Sequence, residues 1–297
     1  MAAAVTSSIT TRGSRGPAAP RGVRSWWGLL GLPGGVALLF FFILPLGEIL
    51  VRSLTDPSPE NYLRAVTSEV VRSSFVTTFV VSILTVAFCI LLGYPYAYVM
   101  ARSRSAVAGI LGFCVLVPFW LSILVRTYAW TVWLQNTGII NSFLLDVGLV
   151  NEPVQLMRNA LGTVIGMTHV LLPFMVFSMY ASMKRIDLGL ERASRALGAG
   201  PIRTFLRVYL PLSLPGVYSG SLIVFVTSLG FYLTPAILGD AAKPLVGQLI
   251  VEQVNQALNF GMGSAIGILL LLVTLLLLAL GMRFAKFEDI VGLRGDQ

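Results

Sequence analysis

Few side chains in this 297-residue sequence could carry covalent chemistry, and their spacing argues against it. His169, the single histidine, lies in an apolar run with no cysteine or carboxylate at ligand spacing, which suits a packed or cavity-lining imidazole better than a metal ligand. Cys89 and Cys114 fall inside apolar stretches and read as small core hydrophobes rather than a disulfide or a metal pair. No serine sits in a nucleophile elbow. The three lysines, Lys184, Lys243 and Lys286, are followed by Arg185, Pro244 and Phe287, so the G-K-[ST] phosphate loop is absent. No catalytic residue, metal site or cofactor is expected, and the chain alone should not hydrolyse ATP.

Binding chemistry is better represented. Residues 188–216, LGLERASRALGAGPIRTFLRVYLPLSLPG, form a polar stretch between two apolar runs. Leu190, Ala193, Ser194 and Leu197 recur at helical spacing on one face, and Glu191 and Arg195 make an i,i+4 pair on another. Gly198 and Gly200 supply permissive backbone to end that helix, and Pro201 suits the first residue of a second. In the second helix Ile202, Phe205, Leu206 and Tyr209 share a face, Arg203 and Arg207 another, before Pro211 and Pro215 are expected to break the run. Such a helix–turn–helix could skim the membrane as a solvated linker, lie on anionic lipid, or enter a partner's groove.

The elements that must position this loop are membrane spans. The chain is 56% hydrophobic and 11% charged, against about a quarter charged in soluble domains. Crossing the hydrocarbon core takes about 20 apolar residues as a helix. Six runs qualify, near 27–50, 74–100, 106–133, 160–183, 213–238 and 262–285, so an all-α integral membrane protein with six transmembrane helices is expected. Most Lys and Arg, including Arg12, Arg102, Lys184, Arg192, Arg203 and Arg283, fall on one side if the amino terminus is cytoplasmic, which places both termini inside. The net charge of +8 is then topological and makes no case for nucleic-acid binding. Residues 1–25 read as a disordered basic tail, 26–286 as the six-helix domain with a cytoplasmic loop at 186–211, and 287–297 as a second tail.

The loop carries a family signature. The inner-membrane permease subunits of binding-protein-dependent ABC importers share E-A-A, three residues, G, nine residues, then I-x-L-P. This chain resembles them, with Arg192, Ala193 and Ser194 at the first three positions, Gly198 at the glycine, and Val208, Leu210 and Pro211 at the end. It departs at Arg192, where the family has Glu, with Glu191 just before it, and at Ser194. The runs PFWLSILVRTYAW from Pro118, LLPFMVFSMYAS from Leu171 and SLGFYLTPAILG from Ser228 are similar to the spermidine/putrescine-type, PotB-like branch.

The resemblance implies the type I importer (MetI-like) architecture in the bacterial inner membrane. It also implies a second permease subunit, two ATPase subunits that bind the ATP, an extracytoplasmic solute-binding protein, and a polyamine as the cargo. Relatives that import phosphonates, ferric iron or thiamine leave other solutes open. Leu190, Glu191, Arg192, Ala193, Ser194, Leu197, Gly198, Leu210 and Pro211 would then form the coupling element that meets the ATPase. Helix breaks can line a water-filled path, which makes Pro118, Trp120, Pro173, Phe231, Tyr232 and Pro235 its candidates. Arg126 is expected near the outer end of the third span, where anchoring at the interface, including docking of the binding protein, is favoured over a role in translocation. A self-contained secondary transporter should show mid-span acids or inverted repeats, and neither is visible; a structural subunit without transport is the third class.

Overall fold

The computed structural model describes residues 24–290, and among these the regular structure is entirely helical. The expected basic tail lies almost wholly outside the described residues, as does the end of the chain after Ile290. In chain order the helices are α1 (Arg24–Thr55), α2 (Glu60–Thr67), α3 (Glu69–Arg102), α4 (Ser105–Leu116), α5 (Ile123–Leu134), α6 (Ile139–Asp146) and α7 (Ala160–Met183). They continue as α8 (Leu188–Ala196), α9 (Pro201–Thr204), α10 (Leu210–Leu229), α11 (Leu233–Leu238), α12 (Val246–Asn255) and α13 (Phe260–Ile290). Among the described residues, those up to Glu48 and those from Ile49 onward form two compact units. In the first, α1 turns Leu38, Phe40, Phe41 and Phe42 outward, as a lipid-facing helix must.

The second unit is built around α7, the most enclosed of the long helices, against which α3 and α10 pack. Met167, Leu171, Met175, Met179 and Met183 recur every fourth residue and are all buried. Lipid is as apolar as leucine, so membrane helices associate through close packing of small residues. Gly216 and Gly220 of α10 meet that need: a Cβ at 216 would lie 2.5 Å from the Ser182 Cβ, and one at 220 would lie 2.7 Å from the Met175 Sδ. The Ser178 hydroxyl donates to the Gly216 carbonyl across the same seam at 3.1 Å. Helix α3 follows the same logic, burying Ser74, Thr78, Ser82, Thr85 and Gly93 while Val76, Val80, Ile83 and Leu91 face outward. Thr78 also accepts the Val246 N–H at 2.9 Å, satisfying an otherwise orphaned donor at the start of α12.

Five helices are long and apolar enough to cross a membrane singly, and one bent pair makes a sixth when taken as a single broken span. Residues 106–133, expected as one span with Pro118 a candidate break, are two segments at 96°. Pro118 removes a backbone donor within a 3₁₀ turn (Val117–Trp120), Leu121 is extended, and Ser122 restarts the chain by accepting the Leu124 N–H at 3.3 Å. The fifth span also ends early, at Leu229, and re-enters as the short α11. Pro211 and Pro215 differ from expectation in the opposite sense, because both lie within α10. A π-turn over Phe205–Tyr209, closed by the Leu210 N–H on the Phe205 carbonyl, widens the helix just where the Pro211 ring would strike the preceding turn.

Candidate functional site: the coupling loop and the broken spans

The loop between α7 and α10 begins where Asp187 caps α8, its carboxylate accepting the Gly189 N–H at 2.8 Å. The helix closes on a paired C-cap, with Ala199 N–H donating to the Ser194 carbonyl at 3.2 Å and Gly198 N–H to the Arg195 carbonyl at 2.9 Å. This closure requires a left-handed residue, and Gly198 takes φ = +83°. Ser194 and Thr204 share a hydroxyl contact of 3.1 Å that ties α8 to α9. Leu190, Arg192, Ala193 and Leu197 are exposed, Leu197 at 88%, beside exposed Leu188, Ile202 and Leu206. The apolar face of the second helix is therefore divided. Ile202 and Leu206 point out, whereas Phe205 and Tyr209 turn inward onto Tyr98, at centroid distances of 5.8 and 5.0 Å. Leu210 and Pro211 are half-buried at the start of α10.

Glu191 is 6% exposed and faces the bundle rather than solvent. Its carboxylate accepts from Arg102 at the end of α3 and lies 3.8 Å from Arg195. The Arg102 guanidinium is held 4.7 Å from the Tyr98 ring and 4.9 Å from the Tyr209 ring. One cation thus joins α3, α8 and the π-turn. Sequence reasoning did not single out Arg102, although Tyr98 four residues earlier is the spacing at which a helical arginine reaches an aromatic face. Arg192, at the signature position, is the residue that points outward.

The second locus is the pair of breaks. The six residues expected along a path do not converge. Trp120 is 71% exposed and packs on Phe113 at 6.0 Å; Pro173 is buried inside α7; Phe231 is half-buried; Tyr232 is exposed; and Pro235 is buried in α11. What joins α5 to α11 is a Thr127–Thr234 hydroxyl contact of 3.2 Å. Of the six, only Pro118 lines the pocket of about 300 Å³ beside the bend, with Val125, Arg126, Trp130, Trp133 and His169. The Trp130 Nε1–H donates to His169 Nδ1 at 3.1 Å, which makes Nε2 the protonated nitrogen of the neutral ring.

Arg126 is enclosed rather than extended toward solvent. It is 8% exposed and shares its pocket with His169, the tenth of the 24 residues of α7. At about 1.5 Å per residue, His169 lies about 14 Å along that helix, in its middle third. Beyond Pro118 the chain turns by 96°, so further residues no longer advance along the direction of α4. The signal present in the sequence was the i,i+4 pair Arg126 and Trp130, which falls on the face shared by Val125, Ala129 and Trp133.

Comparison with known proteins gives this geometry a setting. Residues 90–287 match the family described as binding-protein-dependent transport system inner membrane component. The chain is 32% identical over 240 residues to the spermidine/putrescine transport system permease protein PotB of Haemophilus influenzae, covering 78% of this chain and 84% of that protein. Among solved structures, a chain of a bacterial alginate ABC transporter, in complex with its alginate pentasaccharide-bound periplasmic protein, superposes with a TM-score of 0.72. That match has 17% identity and covers 89% of this chain and 96% of the other. A chain of the MetNI methionine ABC transporter in an inward-facing conformation superposes at 0.55, with 19% identity over 74% of this chain and 98% of the other.

Proposed function

The chain belongs to the family of binding-protein-dependent transport system inner membrane components, and on that premise we propose how its parts serve import. It is the multi-pass permease of an ABC importer. Its cargo is a polyamine of the spermidine/putrescine class, delivered by an extracytoplasmic binding protein and conducted between this chain and a second permease subunit. ATP is bound and hydrolysed by partner ATPase subunits; this chain contributes no catalytic residue and needs no cofactor of its own. Both termini lie in the cytoplasm, with the loop of residues 186–211.

The observation that carries this reading is the division of labour within the loop. Leu188, Leu190, Leu197, Ile202 and Leu206 offer an apolar face of the kind a helix buries in a partner's groove, while Glu191 is locked to Arg102 on the bundle side. Closure of the ATPase dimer would pull on that face, and the Glu191–Arg102–Tyr209 junction would pass the displacement to α3 and α10 together. Arg192, rather than a glutamate, meets the ATPase at the signature position. The path runs past the broken helices, where Pro118, Trp120, Phe231 and Tyr232 lie in the chain breaks.

Reconstitution tests this. Proteoliposomes that hold the chain with its second permease, ATPases and binding protein should accumulate labelled putrescine or spermidine on addition of ATP, and the chain alone should accumulate none. Accumulation by the single chain would overturn the reading. Labelling of Leu197→Cys from the extracytoplasmic side of intact cells would overturn the orientation.

A further inference from the structure

Arg126 is a buried charge without an ionic or hydrogen-bonded partner among the described residues. It is 8% exposed, and neither its Nε nor its Nη1 has a hydrogen-bond acceptor. Its one favourable neighbour is the Phe119 ring, 5.7 Å from the guanidinium carbon. A cation–π contact is worth far less than the cost of holding an unpaired guanidinium away from water. With Nε and Nη1 both buried and without acceptors, an anion would complete the site.

The pocket that Arg126 lines limits which anion can complete it. Its volume of about 300 Å³ admits a small organic molecule. Pro118, Leu121, Val125 and Ala129 make the wall apolar, and Trp130 and Trp133 present indole rings 6.2 Å apart. His169, with Nδ1 committed to Trp130, carries its remaining N–H on Nε2 as a second donor. A guanidinium fork matches the two oxygens of a carboxylate, and indole faces favour an alkyl chain or an ammonium group. The pocket lies beside the tenth residue of α7, about 14 Å from the end of that helix, which favours a diffusing solute over a phosphate tethered at the headgroup level.

We propose that this pocket binds the carboxylate of a solute in transit, so that the cargo of this chain extends from polyamines to small aliphatic amines that carry a carboxylate. The proposal rests on the reading of the chain as a solute-conducting permease. A purely cationic polyamine is repelled by Arg126 and passes without occupying the pocket; an aminocarboxylate rests its carboxylate on Arg126 and its amine against Trp130 or Trp133.

The test uses the assembled transporter, with second permease and ATPases, in lipid nanodiscs and equilibrium dialysis of labelled 4-aminobutyrate. Retention is expected, displaced by unlabelled butyrate and unaffected by an equal concentration of putrescine. Arg126→Gln should weaken retention by about tenfold or more, the scale of a lost charge-assisted hydrogen bond, while Arg126→Lys keeps part of it. Absence of retention by the wild-type complex, displacement by putrescine but not butyrate, or unchanged retention in Arg126→Gln would each overturn the proposal. The wild-type displacement pattern decides even where the glutamine variant fails to assemble. If the wild-type chain does not copurify with the ATPases, the permease reading itself fails; if it does and retention is absent, only the carboxylate site fails.

Discussion

Gly198→Val isolates the turn of the coupling loop from everything else the loop does. No atom lies within 4 Å of where a Cβ at this position would be, so the substitution creates no clash. The cost is confined to the backbone, which holds φ = +83° to make the two C-cap hydrogen bonds. A non-glycine residue in the left-handed region costs about 1–3 kcal/mol, at the upper end for a β-branched side chain and at the lower end for asparagine. If only the left-handed turn presents Leu190 and Leu197 correctly, about 2 kcal/mol translates into roughly 30-fold weaker association with the ATPase. The assay is ATPase copurification over a concentration series, with solute uptake, at matched membrane levels. The series should run glycine, asparagine, alanine, valine in falling affinity, with membrane insertion unchanged throughout. Full coupling in the valine variant, or an order in which asparagine is as damaging as valine, would refute the reasoning and return the loop to a solvated linker.

Three other predictions address the neighbouring parts. Leu197→Asp, at a side chain 88% exposed, should leave thermal stability in detergent unchanged and weaken ATPase copurification by about tenfold or more, since burying a leucine contributes about 1.5–3 kcal/mol. Glu191→Gln strips Arg102 of its carboxylate and should lower thermal stability by a few kcal/mol, in the range of a broken buried pair, while Arg192→Ala, at an exposed site, should stay within about 0.5 kcal/mol in the same melts. Gly216→Val should prevent stable assembly of the bundle, because even a Cβ would stand 3.0 Å from the Met179 Cα; wild-type detergent stability in this variant would contradict the packing described for α7 and α10.

The long crossings were legible because lipid imposes a simple requirement, about 20 apolar residues in a helix, which α3 and α7 meet from end to end. The loop was legible through Asp187, Gly198 and Pro201, each of which acts on its own stretch of backbone. Less could be read where a residue's position depends on a distant partner. Pro118 marked a break in the third span, but the segment after it packs on α11 through Thr127 and Thr234, more than a hundred residues apart, which no local pattern reveals. Arg126 was therefore placed by counting along a helix that does not run straight. Glu191 was read as part of a surface pair with Arg195, since nothing local reveals that Arg102 closes on it from another helix. Pro211 misled for a related reason: a proline breaks a regular α-helix, and the π-turn before it is an irregularity that sequence periodicity does not encode.

The methionines of α7 bear on how an importer can occupy two states at all. A seam of branched side chains fits one arrangement closely and leaves voids in any other, so sliding α3 and α10 across it would carry a cavity cost in one of the two states. Met167, Met175, Met179 and Met183 are unbranched and change rotamer to follow a moving neighbour. Four buried side chains of α7 can therefore follow a neighbouring helix, while Val164, Val170, Leu171 and Val176 of the same helix keep one close fit.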